Sequence, residues 1–564
     1  MAQIPDMAKK VPMMFRAQVE GRCQLQRVYT DRNKSNEAQD SERWVSEWVE
    51  KAYPSPPVFD LTVQTRSYQL NWRFVTNGGQ DDGIIRPVIG SFGWPFYPGS
   101  SMKGVFRQAC NKDQAERYCG KELSGKDWQP GILRFHGGYP TNTQWTDRLV
   151  DIIHPQQERQ VQREKTTSAF AQVSLYRPEL QFGISSTELL DDTEWDTIWQ
   201  IWERGLSSGL GCRVSAGYGQ VADHAGQTLF KCRLKGQGQA PKLLDVDETG
   251  EFRPNIFRAA IRGHALRLFG GLTDATNAER LVNELFGSVQ GSGDVGLLAM
   301  SFQPCREIIG SYGRGRWEQP TYEVEGDLYW MLNRPLADPN QRKALSNLIK
   351  ALMHFAMVFG GFGKSWRRAD HRIFYPDYAE QDAKPLIGCH WQWSEQSLTR
   401  NYKVRKLENI ATFLQAIRKV ARTWVQLQKA NSRQWAKTWR EAWHPQNVQV
   451  WGRVAREAED SRAVEWLHGP YRPAMPTANI LEGTIKQTSV TGKLNRIGRL
   501  WHRMYPIVRL VRNPEDPDGK PIAKMRSRPE YLELLTLFPN DSPEFLDFLD
   551  FLETQQTMFQ KLWP

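Results

Sequence analysis

The chain has 564 residues, 40% hydrophobic and 24% charged, a balance that excludes disorder and suits three or four domain-sized units. Lys and Arg number 74 against 63 Asp and Glu, a net charge of +11 that by itself points only weakly to a polyanionic partner. Seven scattered cysteines without a C-x-x-C pair exclude a disulfide framework or zinc knuckle, and no signal-peptide core or ~18-residue apolar run is present, which predicts a soluble cytoplasmic protein without membrane contact.

Alternating stretches at Phe15–Val19 and Phe59–Val63 predict the first strands, with a polar insertion over about 29–57 between them. Pro98-Gly99-Ser100-Ser101-Met102-Lys103-Gly104-Val105-Phe106-Arg107 predicts a tight turn and a helix capped by Ser100 and Ser101. An extended Gly131–Phe135 follows, then a polar excursion containing Asp151-Ile152-Ile153-His154-Pro155. Trp195, Ile198, Trp199, Trp202 and Leu206 share one face of a second helix, which runs into the glycine loop Gly209–Gly219.

The same order then recurs. Phe230, Cys232 and Leu234 alternate as a strand, and Arg258–Phe269 reads as a helix. Leu285-Phe286-Gly287 and Gly296–Met300 match the earlier Gly120 and Gly131–Phe135 pair. Leu345, Leu348, Ile349, Leu352, Ala356 and Phe359 mark a helix that ends in the loop Gly360-Gly361-Phe362-Gly363-Lys364. Lys103 and Arg258 are 155 positions apart, and Gly211 and Gly361 are 150 apart, which is the near-constant offset of an internal duplication. Strand–helix–strand twice over is the ferredoxin-like order, so the predicted fold class is α+β, with tandem ferredoxin-like (RRM-like) domains. Ile507–Val511 predicts a late strand and Phe545–Lys561 a closing helix.

Several residues suit phosphate binding. A helix start offers free N–H groups and a positive dipole end, with Lys103 and Arg107 on one face and Arg258 and Arg262 as their repeat. In the glycine loops, Gly217 permits close backbone approach and Tyr218 offers a face for base stacking, beside Arg213; Lys364, Arg367 and Arg368 flank the second loop. Gly363-Lys364-Ser365 imitates the end of a Walker A loop, but Val358 stands where that motif needs glycine, so nucleotide hydrolysis is excluded. Asn401–Arg440 holds ten basic residues and one acid, Glu408, and carries a helical stripe from Ile410 to Leu427. That stretch suits either a solvated helix face or a channel wall for RNA.

Pro98–Gly104, Gly131–Phe135, Asp151–Pro155 and Gly217-Tyr218-Gly219 together resemble the RAMP superfamily. More narrowly they resemble the backbone subunits of type III CRISPR–Cas effector complexes, fused in tandem as in the type III-D variant. The resemblance covers about 59–221 well and 228–374 more loosely. It implies a first RAMP domain over 1–225 with a thumb-like excursion at about 138–175, and a second over 226–394. A basic helical region at 395–470 and a mixed region at 471–564, which would either complete the second domain or stand alone, follow. The resemblance further implies CRISPR RNA as a bound guide, target RNA as substrate, and other RAMP subunits and a large subunit as partners.

By the same resemblance, an aspartate in the loop before the first helix holds a divalent cation, Mg2+ or Mn2+, for target cleavage. Asp82 aligns best, as metal ligand and catalytic residue, with Asp81 beside it; Asp245 and Asp247 are the candidates in the second repeat. His154 reads as structural or as a thumb contact rather than a general base. Two other readings stand beside this one: an architectural subunit that binds the guide and cuts nothing, and a RAMP-fold endonuclease that processes precursor CRISPR RNA with a histidine and no metal.

Overall fold

The computed structural model describes residues 45–76, 80–81, 84–123, 127–153, 158–163, 170–221, 227–242, 250–288, 295–375, 378, 384–431, 433–471, 483–493, 496–513, 521–554 and 558–564. The strand expected at Phe15–Val19 lies outside them. The described chain is mixed α+β, built on sheets that are antiparallel apart from one parallel pairing, Ile85 beside Gln172.

The first unit runs β1 (Gln64–Gln69), α1 (Gly99–Ala109), β2 (Leu133–Pro140), β3 (Glu179–Ser186) and α2 (Asp192–Leu206). Its sheet has the order β1–β3–β2, and a single antiparallel bridge from Leu70 to Val221 returns the chain after α2 to the end of β1. The expected strand at Phe59–Val63 does not form. Asp60 accepts from the Thr62 backbone N–H at 2.9 Å and from its hydroxyl at 2.7 Å, and this local turn delays the strand to Gln64. The apolar stripe of α2 packs as its spacing predicts: Ile198, Trp199, Trp202 and Leu206 are buried, with Trp202 against Phe182 at 5.0 Å. Each such side chain contributes roughly 2–3 kcal/mol of burial.

The second unit runs β4 (Thr228–Gln239), α3 (Asn255–Gly270), α4 (Ala275–Phe286), β5 (Leu298–Tyr312), β6 (Gln319–Leu332), α5 (Pro339–Phe359) and β7 (Cys389–Trp393). Its sheet order is β5–β6–β4–β7, that is second, third, first, fourth. Two helices follow, α6 (Glu395–Asn401) and α7 (Asn409–Leu427), and α7 packs against α5 and α3.

The C-terminal strands do not complete that sheet. They make a third unit, β8 (Gln449–Ala455), α8 (Arg462–His468), β9 (Leu500–Pro506), β10 (Tyr531–Leu537), α9 (Pro543–Glu553) and β11 (Gln560–Trp563). The order β9–β10–β8–β11 repeats second, third, first, fourth. The strand expected at Ile507–Val511 is Val508–Arg512, paired with Pro521–Met525 as a hairpin between β9 and β10. The closing helix stops at Glu553 instead of reaching Lys561, because the last residues pair with β8.

One local device appears in all three units. A glycine of positive φ (Gly120 at 108°, Gly287 at 81°, Gly492 at 83°) is packed against a second glycine at the entry to the second strand (Gly131, Gly296, Gly498). A Cβ on Gly131, Gly296 or Gly498 would meet main-chain atoms of the first turn at 2.3, 2.4 and 2.3 Å. The residue after each second glycine donates its N–H to a carbonyl three positions before the first: Ile132 to Arg117, Leu297 to Glu284, Arg499 to Ser489.

The units are also joined in series by a recurring contact. The loop after α2 lays Gly217 on Met300 at the start of β5, where a Cβ would come within 3.0 Å of the Met300 sulfur. The loop after α5 lays Arg367 on the start of β9, where the His502 N–H donates to the Arg367 carbonyl at 2.8 Å, and Trp366 meets Trp501 at 4.9 Å. Met300 and His502 each stand four residues after their unit's entry glycine. Among the described residues no helix is long and apolar enough to cross a membrane.

Candidate functional site

The acidic turn of the first unit is framed by Gln80–Asp81, which pairs antiparallel with Ile84–Ile85. Ile85 lies parallel beside Gln172 in Phe170–Val173, and that strand pairs antiparallel with Val150–Ile153. The strand pairs Gln80–Asp81 and Ile84–Ile85 and the Asp151-Ile152-Ile153 segment, distant in sequence, therefore belong to one four-stranded sheet. Asp82 and His154 lie outside the described residues, as do Asp245 and Asp247; Asp81 is described in its backbone alone. Lys242 and Gly250 bridge across the segment that carries Asp245 and Asp247.

The glycine loop holds the base of the acidic turn. Cys212 N–H donates to Val75 O and Gly219 N–H to Arg73 O, both at 2.8 Å, while Thr76 Oγ1 accepts from Val88 N–H at 2.8 Å. Gly211, at φ 72°, lies so close that a Cβ would stand 2.2 Å from Val75 O. The loop therefore depends on glycine for its approach to the strand.

Beneath this sits a buried charged network that ties the first unit to the second. Glu251 accepts from Arg73 Nε at 2.8 Å, from its terminal nitrogen at 2.7 Å, and from Trp72 Nε1 at 2.6 Å. Asp151 pairs with Arg253 at 2.8 Å and accepts from the Tyr218 hydroxyl at 2.6 Å and Gln172 Nε2 at 2.8 Å. Burial opposes charge on Arg73, but Glu251 and Asp151 outweigh it and hold the guanidinium protonated. Burial, reinforced by Asp151, pushes the Tyr218 hydroxyl well above its ordinary range. Asp151 is thus committed to Arg253 and is not available as a cation ligand, and among the described residues no group of three or more His, Cys, Asp or Glu side chains could hold a metal.

The expected RNA-binding residues divide sharply. Ser100, Ser101 and Lys103 are exposed on the first turn of α1. The expectation that the two serines cap this helix is corrected: the helix begins at Gly99, and its N-cap is Pro98, which makes no side-chain cap hydrogen bond. α3 likewise starts after an uncapped Pro254, and neither helix has an acid in its first turn. Arg107 turns back to Gly120 O at 2.9 Å. Arg213 is half-buried in a left-handed conformation, φ 60°, next to Gly217 at φ 91°.

Tyr218 offers no open face: it is 1% exposed, with its ring 4.4 Å from that of Trp72. Arg258 and Arg262 point into α4, to Phe286 O and to Asn283 Oδ1, rather than outward. Arg367 binds Glu441 at 2.9 Å while its carbonyl accepts from His502 N–H, and Arg368 binds Leu500 O and Thr491 O, so neither side chain turns outward and both residues touch the third unit. Lys364 reaches solvent, and burial of its stem together with Arg253 and Lys242 lowers its amine. That places Lys364 beside the bridge at Lys242 and Gly250. The residues that reasoning from sequence missed, Arg73, Glu251 and Glu441, are single charges in unremarked segments, with no motif to mark them.

Glu441 is the second unit's counterpart of that buried network. It is fully buried and held by Arg267 at 2.6 Å, Arg367 at 2.9 Å and Arg440 at 3.5 Å. Burial works against its ionisation, but Arg367, Arg267 and Arg440 prevail and bring the carboxyl down to about 2. In the third unit the start of α8 is closed from within. Glu533 accepts from Ala463 N–H at 2.9 Å, Arg462 N–H at 3.2 Å and the Ser461 hydroxyl at 2.7 Å, and Arg453 Nε lies 2.6 Å from it.

No family model matches the chain, and no curated protein matches it. Among solved structures it is similar to a chain in the cryo-EM structure of the Type III-B Cmr-beta bound to cognate target RNA, over 57% of this chain and 98% of that one, at 9% sequence identity and a TM-score of 0.27.

Proposed function

We propose that the chain is a CRISPR RNA-binding backbone subunit of a type III effector complex, and that its first unit cuts guide-paired target RNA. The observation that carries this reading is the serial repetition of one unit: the same strand order, the same glycine pair and the same loop-on-strand contact recur along the chain. That arrangement supports a ferredoxin-like reading of each unit, and it sets equivalent helix starts at intervals, as a subunit that tracks a phosphodiester backbone requires. The uncapped starts of α1 and α3, with no acid in the first turn, suit phosphate oxygens, and Ser100, Ser101 and Lys103 stand exposed at the first of them.

In this reading Asp82, with Asp81 beside it, holds a divalent cation, and Asp245 or Asp247 is the counterpart in the second unit. The cation supplies charge stabilisation for the leaving oxygen when an adjacent 2′-hydroxyl attacks the phosphorus. The chain's own residues orient the strand. α1 grips the backbone, the Gly209–Gly219 loop fixes the base of the acidic turn, and Asp151 and Tyr218 lock that loop against the second unit. The products carry a 2′,3′-cyclic phosphate and a 5′-hydroxyl. Other RAMP subunits, a large subunit, the guide and the target are the partners.

The test replaces Asp81 and Asp82 by alanine in the assembled complex and follows labelled target RNA with and without Mg2+. Loss of cutting with guide binding retained is the expected result. Undiminished cutting at every position sinks the assignment, and cutting that resists a chelator favours the histidine-based reading.

A further inference from the structure

Three packed helices of the second unit, α3, α5 and α7, contain no Asp or Glu. At the chain-wide frequency of 63 acids in 564 residues, helices of 16, 21 and 19 residues would carry about six. The basic residues of α3 are satisfied internally by Phe286, Asn283 and Glu441. On the outer pair Arg418 is also used internally, donating to the Trp443 and Gly271 carbonyls, and the exposed cations are the others. α7 buries Ile410, Phe413, Leu414, Ile417 and Trp424, and so turns Lys419 and Arg422 outward. Lys343 and Lys350 are exposed on α5, and Lys429 and Lys437 are exposed beyond the end of α7.

These cations crowd one another. Burial and the nearby Lys350 and Arg405 lower the Lys403 amine, and burial and Arg422 bring Arg418 down to about 10. His444 is lowered by burial, Arg418 and Lys437. Within this strip Trp435 is half-buried and stacked on His444, ring centroids 4.2 Å apart and planes 4° from parallel. Crowded like charges repel, and a polyanion relieves that repulsion. Trp435 already stacks on His444 and packs on the core, so the partner is read from charge alone, and a phosphodiester strand matches a row of cations spread along two helices.

We propose that the acid-free face of α5 and α7 binds the sugar–phosphate backbone of a single-stranded RNA, on a track separate from the acidic turn of the first unit. This rests on the reading that the chain works on RNA, but not on its cutting any.

The test uses the full chain and a fluorescein-labelled 30-nucleotide polyuridylate, with affinity measured by anisotropy across 50–400 mM KCl. Replacing Lys419, Arg422, Lys429 and Lys437 by glutamine should lower the slope of log K against log salt by about 0.7 per lost contact, roughly 2 to 3 in all. Arginine in place of the three lysines should restore it. A matched variant, with Lys112, Lys121, Arg462 and Lys486 changed to glutamine, should leave the slope unchanged. Equal losses in both variants, or no loss in the first with an unaltered melting temperature, overturn the proposal. So does a first variant that loses only binding to phosphatidylserine vesicles. Target cutting is read separately in the assembled complex: loss of cutting on Asp82→Ala, with an intact salt slope for the full chain that carries the same change, separates the two sites.

Discussion

Replacing Glu441 by glutamine tests how the second and third units are held together. The carboxylate is fully buried and faces three guanidinium groups, two of them nearly or wholly buried themselves. Its carboxyl sits near 2 instead of the ordinary 4.5, a difference worth about 3 kcal/mol. Removing the charge also takes a shared anion from Arg267, Arg367 and Arg440, and breaking a buried pair in this way costs about 3–5 kcal/mol. Because the folded value is depressed, this stabilisation is present above pH 4.5 and fades as pH falls toward 2. The assay is native hydrogen exchange of the Leu500–Tyr505 peptide, since the His502 amide reports the docking of Arg367. Wild type should lose protection there between pH 4.5 and 2, after correction for the intrinsic exchange rate. Glu441→Gln should expose the peptide at pH 7, with little further change on acidification. A variant whose protection falls by less than about 1 kcal/mol, or which keeps the wild-type pH dependence, would refute the claim that Glu441 organises this junction.

Glu251→Gln should loosen the first unit from the second by about 3–5 kcal/mol, seen as faster exchange in both Trp72–Val75 and Phe252–Phe257 while β9 stays protected. Tyr218→Phe removes one of the donors to Asp151 and should cost about 1.5–3 kcal/mol in the same exchange assay. Were Tyr218 instead a base-stacking residue, phenylalanine would leave stability intact. Gly219→Ala places a Cβ 1.9 Å from Leu210 O at φ 62°, and should reduce the yield of folded protein more than Gly104→Ala, whose Cβ meets nothing within 4 Å.

The sequence made the two long amphipathic helices legible, because a 3.6-residue stripe survives any context: α2 and α5 bury the residues that their spacing singles out. It also made the first two glycine pairs legible. The third is not legible in this way, because Gly492 and Gly498 are closer together than Gly120 and Gly131. Composition alone misleads at Tyr218: a tyrosine between glycines reads as open, and only the fold brings Trp72 over its ring. Arg258 and Arg262 show the same limit. Four-residue spacing puts them on one face of α3, but which neighbour that face meets is a tertiary fact, and here it is α4. Glu251 and Glu441 have no local signature, since a lone carboxylate becomes an organiser only when remote guanidiniums converge on it.

Glu533 has a consequence for how the three units differ. At the start of α8 the chain supplies its own anion, tethered on β10 and delivered at an effective concentration that a free phosphate cannot match. Displacing that carboxylate would cost Arg453 one of its two anionic partners, leaving it Asp460 alone. The third unit therefore keeps the strand order of the second while the backbone N–H groups at its helix start are already taken by a carboxylate of the same unit.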